Sequence, residues 1–188
     1  MSPTKTTFRK KCLERNKKVS LQNRLYKNYQ VNKKLKRVLE SLLKKQKKAK
    51  ILFYYPLSNE ADIRKTLMFF RKKQQIFLPF MEGKSFKMVP FRLPLKRKRF
   101  GIMEAGNSLR FINKIDIAIV PVVGIDKNLQ RVGFGKGMYD RFFPTLKKRP
   151  FTIFVQLEPC ITNKEVCDAY DIAADYYISS RKTISRRQ

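Results

Sequence analysis

Apolar and polar residues follow two rhythms along this chain, and each change of rhythm marks an element. TFRKKCLERNKKVS, Thr7 to Ser20, has only Phe8, Cys12 and Leu13 as a thin apolar stripe and predicts a short, mostly polar helix. Ser20 then stands as the cap of a longer helix, in which Leu21, Leu25, Val31, Leu35, Val38, Leu39, Leu42 and Leu43 recur at helical spacing. The lysine-rich run from Lys44 to Lys50 closes it, cations being favoured at a helix C-terminus. ILFYYP, Ile51 to Pro56, is an apolar run of strand length ended by proline and predicts a buried strand. NEADIRKTLMFFRKK predicts a helix with Ile63, Leu67 and Phe70 on one face, and QIFLPF and SFKMVPF predict two more strands. RLPLKRKRFGIMEAGNSLRF keeps no period and is rich in turn formers, as an irregular connection would be. IDIAIVPVVGID is the strongest buried-strand signal. After it come a glycine-rich loop, a helix from about Gly137 to Leu146, a strand FTIFVQ, a helix or turn around Asn163 to Ala169, and a last strand DYYISS.

Strands alternating with helices in this way predict an α/β fold, a three-layer Rossmann-like domain with a mainly parallel sheet and a helical N-terminus. In such sheets ligands gather at the carboxyl ends of the strands. The glycine-rich loop follows the most apolar strand directly, which puts it at such an end.

Length and composition narrow the picture. At 188 residues with 43% apolar content, residues 1–188 are expected to form a single domain. IDIAIVPVVGI is too short for a membrane span and contains Asp116, and no apolar stretch follows the charges at the N-terminus, so a cytoplasmic monomer without membrane contact is expected. The chain has no histidine and three widely spaced cysteines, Cys12, Cys160 and Cys167. That set excludes most zinc sites and any histidine-based relay, and predicts reduced thiols without a chemical role. Catalysis would fall to Lys, Arg, Asp, Glu, Tyr and backbone amides.

The formal net charge of +30 raises the prospect of a polyanionic partner such as nucleic acid, and aromatics interleaved with cations in FFRKKQQIFLPF and LKRKRF point the same way. The charge is uneven. Met1 to Lys50 holds 18 Lys and Arg against Glu14 and Glu40, whereas Phe151 to Ser180 sets Lys164 against Glu158, Glu165, Asp168, Asp171 and Asp175. Solvated surface lysine accounts for much of the excess equally well.

The chemistry-bearing stretch is VGFGKGMYDRFF, Val132 to Phe143. Its glycines let the backbone turn through positive φ and approach a ligand, and free N–H groups running into a helix suit an anion. Lys136 adds a point charge and Arg131 stands two residues ahead of the first glycine. The spacing is neither G-x-x-x-x-G-K-[ST] nor G-x-G-x-x-G, so on its own the loop is either a phosphate cradle or a strand-to-helix turn. Asp140 has two readings as well: a carboxylate stabilised at a helix start, or one facing Mg²⁺ on loop-bound phosphates.

VPVVGIDKNLQRVGFGKGMYDRFF resembles the signature of the 5-formyltetrahydrofolate cyclo-ligase (methenyltetrahydrofolate synthetase) family, a strand end, an Asp, an Arg and then G-x-G-[GK]-G-Y-Y-D. The resemblance runs more thinly over nearly the whole chain. KTTFR is similar to the family's Lys-x-x-Leu-Arg, which implies that Lys5 and Arg9 hold ATP phosphates together with Arg131, Gly133, Phe134, Gly135, Lys136, Gly137, Met138 and Tyr139. By the same resemblance Arg131 and Lys136 are the catalytic cations, Tyr55 and Glu60 orient the folate, Met88 and Glu104 are further folate-site candidates, and Asp140 and Asp171 hold Mg²⁺, with Asp175 as a second acid. Met138 stands where the family has tyrosine, Ala105 where it has proline, and Tyr170 where it has His or Asn.

The activity implied is ATP- and Mg²⁺-dependent cyclisation of 5-formyltetrahydrofolate to 5,10-methenyltetrahydrofolate. In it the formyl oxygen attacks the γ-phosphorus, N10 closes the ring, and phosphate leaves. A basic nucleic-acid-binding protein and a non-catalytic relative that binds ATP or folate are the alternatives.

Overall fold

The computed structural model describes residues 4–46, 48–98, 102–108 and 112–186. Two helices lead. α1, Lys5–Lys17, is capped by the Thr4 side chain, which accepts the Thr7 N–H, and α2, Leu21–Leu42, by Ser20, which accepts that of Asn23. α1 buries only Phe8 and Cys12, as its polar sequence requires. α2 buries Val31, Leu35 and Leu39, but Leu21 and Leu25, placed on the same stripe by the sequence, are 75% and 65% exposed. The N-terminal half of α2 turns a polar face inward instead. Arg24 donates to the Ser58 and Asn16 carbonyls, Lys27 pairs with buried Glu158, and the Asn28 and Asn32 amides bind the backbone of Asp62 and Thr66.

β1, Lys50–Leu52, is shorter than the apolar run that encodes it, and α3, Arg64–Arg71, starts five residues after Asn59. β2, Gln75–Glu82, and β3, Ser85–Pro90, form an antiparallel hairpin through Gly83. The irregular connection contains a small ribbon, β4, Lys96–Arg97, against β5, Met103–Glu104; its residues 99–101 and 109–111 lie outside the described residues. β6, Ile117–Pro121, is followed by a second ribbon, β7, Gly124–Ile125, with β8, Arg131–Val132. The helix after the glycine loop is only α4, Met138–Phe142, continued by a 3₁₀ turn, Phe143–Thr145. β9, Phe151–Val155, follows. The stretch from Asn163 to Ala169 forms turns without a helix, and β10, Tyr176–Ile178, is not the last strand, because β11, Thr183–Ser185, returns antiparallel to it.

One seven-stranded sheet runs in the order β11-β10-β9-β6-β1-β2-β3, parallel from β10 to β2 and antiparallel at both edges. The period-2 pattern of the strands divides the core. Ile117, Ile119, Ile153 and Val155 face α2 and α3, whereas Ala118, Val120 and Phe154 face Tyr139 and Phe142 of α4. This is the three-layer α/β arrangement predicted. The chain builds outward from β1 in one direction through β2 and in the other from β6 through β9, so the switch point lies between β1 and β6.

Among the described residues no helix is long and apolar enough to cross a membrane. The cysteines depart from expectation. Cys12 of α1 and Cys160, 148 residues apart, form a disulfide, and Cys167 packs against the same small cluster with its thiol pushed up to about 12 by burial and the nearby Asp126 and Asp171. Folding brings α1 against the loop after β9, a long-range contact that spacing alone does not reveal.

Candidate functional site

Two cavities flank the glycine loop, the apolar one at the carboxyl ends of β1 and β6 against Tyr54, Tyr55 and Pro121, and the polar one between α1 and the loop. The polar cleft holds about 530 Å³ and the apolar cavity about 270 Å³.

The loop is aimed by the β7–β8 ribbon. The buried Asp126 carboxylate accepts the N–H groups of Asn128 and Gln130, both at 2.9 Å, which closes the turn and delivers Arg131 to the start of the loop. The Asp of the sequence signature is therefore a turn-former. Gly135 and Gly137 have φ of +98° and +57°, which side chains rarely adopt. Gly133 is needed for space, since a Cβ there would stand 2.4 Å from Arg131 Nη1. With only five residues, α4 contributes little dipole, so the electropositive character of the cleft comes from side chains.

Lys5, Arg9, Arg131, Gly133, Gly135, Gly137, Asp140 and Asp171 all line the polar cleft, as the sequence grouped them. Arg9 Nε donates to the Gly133 carbonyl at 2.8 Å, fastening α1 to the loop. Lys5 pairs with Asp171 and, at 3.1 Å, with Asp168. Burial opposes its charge, but the two carboxylates outweigh that and raise its pKa. Asp171 also accepts the Asp168 N–H at 2.7 Å, and Asp140 accepts the Ile172 N–H at 3.4 Å and pairs with Arg131 at 3.3 Å.

Phe134, Lys136, Met138 and Tyr139, grouped with the phosphate site by sequence, line the apolar cavity instead. Tyr55 and Glu60 line the same cavity, joined by Tyr54, Met81 and Phe86. Met88 and Glu104 do not reach it. Met88 is buried in the core at 1% exposure, and the Glu104 carboxylate accepts the Met81 N–H at 3.1 Å, holding the β2 wall in place. Asp175 lies elsewhere, at the start of β10, bound to the Thr152 N–H and Arg149. Three residues, Ile172 to Ala174, separate it from Asp171 and carry the two carboxylates to different partners.

Sequence reasoning missed Asp168, Tyr170 and Arg141 as cleft residues. The pairing of Asp168 with Lys5 is invisible in one dimension. Tyr170, noted only as a departure, donates to Asp168 at 2.9 Å beneath Lys5.

Among the described residues Arg131 is the one cation lining both spaces. It is 6% exposed, with its guanidinium 5.0 Å from the Tyr139 ring centre. Facing it in the apolar cavity is Glu60, whose carboxyl is pushed up to about 7 by burial, against the Leu57 N–H it accepts at 2.9 Å and the charge of Arg131. The folded protein thus retains a proton on Glu60 between about pH 4.5 and 7 that the unfolded chain has released. This group makes stability fall as pH rises through that window and adds no slope above it. Between pH 5 and pH 8 the wild type is expected to lose about 2 kcal/mol more stability than Glu60→Gln in denaturant titrations, and equal losses would refute the shift.

A Rossmann-like α/β protein with a glycine loop between a cationic cleft and an apolar cavity, the latter at the switch point of its sheet, is suited to bringing a phosphorylated and a largely apolar ligand together. Residues 1–160 match the family model described as the 5-formyltetrahydrofolate cyclo-ligase family, and the chain belongs to that family. Among curated proteins it is 23% identical to 5-formyltetrahydrofolate cyclo-ligase of Haemophilus influenzae over 59% of this chain and 64% of that protein. It is 46% identical to the Mycoplasma pneumoniae cyclo-ligase over 37 residues, 20% of this chain and 23% of that one. Less than two thirds of either relative's length is therefore matched.

The solved structure of Aquifex aeolicus 5,10-methenyltetrahydrofolate synthetase superposes with a TM-score of 0.79 at 28% identity, covering 98% of this chain and 93% of that one. The synthetase of Mycoplasma pneumoniae shares the fold with a TM-score of 0.71 at 21% identity, over 94% and 98% of the two chains.

Proposed function

We propose that this chain catalyses the ATP- and Mg²⁺-dependent cyclisation of 5-formyltetrahydrofolate to 5,10-methenyltetrahydrofolate, releasing ADP and phosphate, as a cytoplasmic single-domain monomer. The observation that carries the reading is the meeting of the two cavities at Arg131. A folate in the apolar cavity and a triphosphate in the polar cleft would bring the formyl oxygen and the γ-phosphate together there.

Lys5, Arg9 and Arg131 supply charge to the phosphates, with backbone of Gly133, Gly135 and Gly137 alongside. Lys136 reaches the same junction from the apolar side. Tyr55 and Glu60 orient the folate, and Glu60 in its protonated form can donate to a ring nitrogen or carbonyl. Met138 offers an apolar wall where a tyrosine would offer a hydroxyl. Asp140 and Asp171 fit Mg²⁺: both carboxylates line the cleft, with Asp168 beside them, and so few protein ligands suit an ion that keeps water and takes phosphate oxygens. Among the described residues no group of three or more His, Cys, Asp or Glu could hold an ion, consistent with one that arrives with the nucleotide. Bound there, Mg²⁺ would neutralise charge on the transferring phosphoryl group. The three aspartates of the cleft disfavour nucleic acid at this place, because they would repel a phosphate backbone arriving without the ion.

Mixing the protein with Mg-ATP and 5-formyltetrahydrofolate and following methenyl absorbance tests the reading. Methenyl product and ADP in equal amounts are expected; neither appearing would overturn it.

A further inference from the structure

Arg141 stands on the outer side of α4, after the aspartate of the loop signature, and its side chain folds back across the top of the site. Its Nε donates to the Lys84 carbonyl at 2.9 Å, and its Nη2 donates to that same carbonyl and to the carbonyl of Lys136. Lys84 is in the turn of the β2–β3 hairpin, and Lys136 lies within the glycine loop. One planar guanidinium thus bolts the loop that borders the polar cleft to the hairpin that walls the apolar cavity.

The same two bodies touch at two further places. Ser85 Oγ donates to the Met138 carbonyl at 3.4 Å, and Phe86 of β3 stacks on Phe142 at 4.2 Å and meets Tyr139 edge-on at 5.0 Å. Those contacts align α4 with the hairpin, but only Arg141 among them reaches the glycine loop itself. Its Nη1 comes within 2.8 Å of where a Cβ at Gly137 would stand, so the loop's glycine is what admits the latch.

We propose that Arg141 is a positioning residue that couples the two cavities, so that filling the apolar cavity sets the glycine loop for the nucleotide and the nucleotide sets the hairpin for the folate. The physical reason is linkage. Each ligand would contact one of the two bodies, and where a bridge joins them the contact made by the first ligand also sets the position of the body that the second one meets. This inference rests on the reading of the cavities as ATP and folate sites.

The test measures the dissociation constant of a non-hydrolysable ATP analogue with Mg²⁺, in the absence and presence of saturating 5-formyltetrahydrofolate, for wild type, Arg141→Ala and Arg141→Lys. In the wild type the folate is expected to tighten the analogue about tenfold, within the usual range of coupling between sites. Arg141→Ala should bring that factor close to one. Arg141→Lys keeps a charge at the cleft but cannot grip two carbonyls with a planar fork. Because Arg141 lines the cleft, the analogue affinity of the folate-free variant is measured separately from the coupling factor, and it is the factor, the ratio of affinities with and without folate, that should fall close to one in Arg141→Lys. A coupling factor in Arg141→Lys equal to that of the wild type would overturn the proposal, as would a wild type that binds both ligands independently. A wild type that binds neither ligand would overturn the functional reading and this inference with it, an outcome separate from the other two.

Discussion

Replacing Arg131 by methionine is expected to lower turnover by roughly 10²–10³-fold, the usual effect of removing one preorganised donor aimed at developing charge. Methionine preserves length and packing in a place that is 6% exposed, so the loss would not come from a void. What disappears is the guanidinium that lines both cavities, pairs with Asp140 at 3.3 Å and lies over Tyr139. Arg131→Lys, which keeps the charge without the planar fork, should fall between. The loop itself supplies a control that deletes no polar group. A Cβ at Gly133 would stand 2.4 Å from Nη1 and 2.6 Å from Cζ, so Gly133→Ala must push the guanidinium off its seat and lower turnover in the same direction. Steady-state kinetics with each substrate varied in turn checks both variants, and an unchanged kcat in Arg131→Met would remove this residue from the reaction.

The sheet was legible because its strands are buried on both faces. Continuous apolar runs such as IAIVP admit no other assignment when turn formers bound them. The loop was legible because its glycines answer to backbone geometry, a local matter. What escaped the sequence is long-range. The family resemblance assigns Lys5 and Asp171, 166 residues apart, to one site, but the ion pair they form as α1 packs against β7 was not foreseen. The Cys12–Cys160 bond is hidden for the same reason. In α2 the apolar periodicity was real but overstated, since Leu21 and Leu25 keep the spacing while ion pairs and amide hydrogen bonds decide which face turns inward. The grouping of site residues followed chain order, whereas Phe134, Lys136, Met138 and Tyr139 interleave with cleft residues in sequence and line the other cavity.

Asp140→Asn is expected to reduce turnover by about 10²-fold or more and to raise the Mg²⁺ concentration needed for half-maximal rate, since a ligand carboxylate that holds the ion against phosphate oxygens is worth several kcal/mol to the transition state. The fold should survive. Oδ1 accepts the Ile172 N–H at 3.4 Å, and the amide oxygen of asparagine can take its place there. The amide nitrogen would then face Arg131 Nη1, donor against donor, where the carboxylate now pairs at 3.3 Å. That second effect makes the Mg²⁺ titration the deciding measurement. Loss of the Arg131 contact alone lowers the rate at every Mg²⁺ concentration and leaves the half-maximal point where it was, as Arg131→Met should. Loss of a ligand moves that point upward and lets high Mg²⁺ recover part of the rate. An Asp140→Asn protein with wild-type Mg²⁺ dependence would assign the carboxylate to holding Arg131, and would leave Asp171, tied to Lys5 and the Asp168 N–H, as the acid to test at the metal.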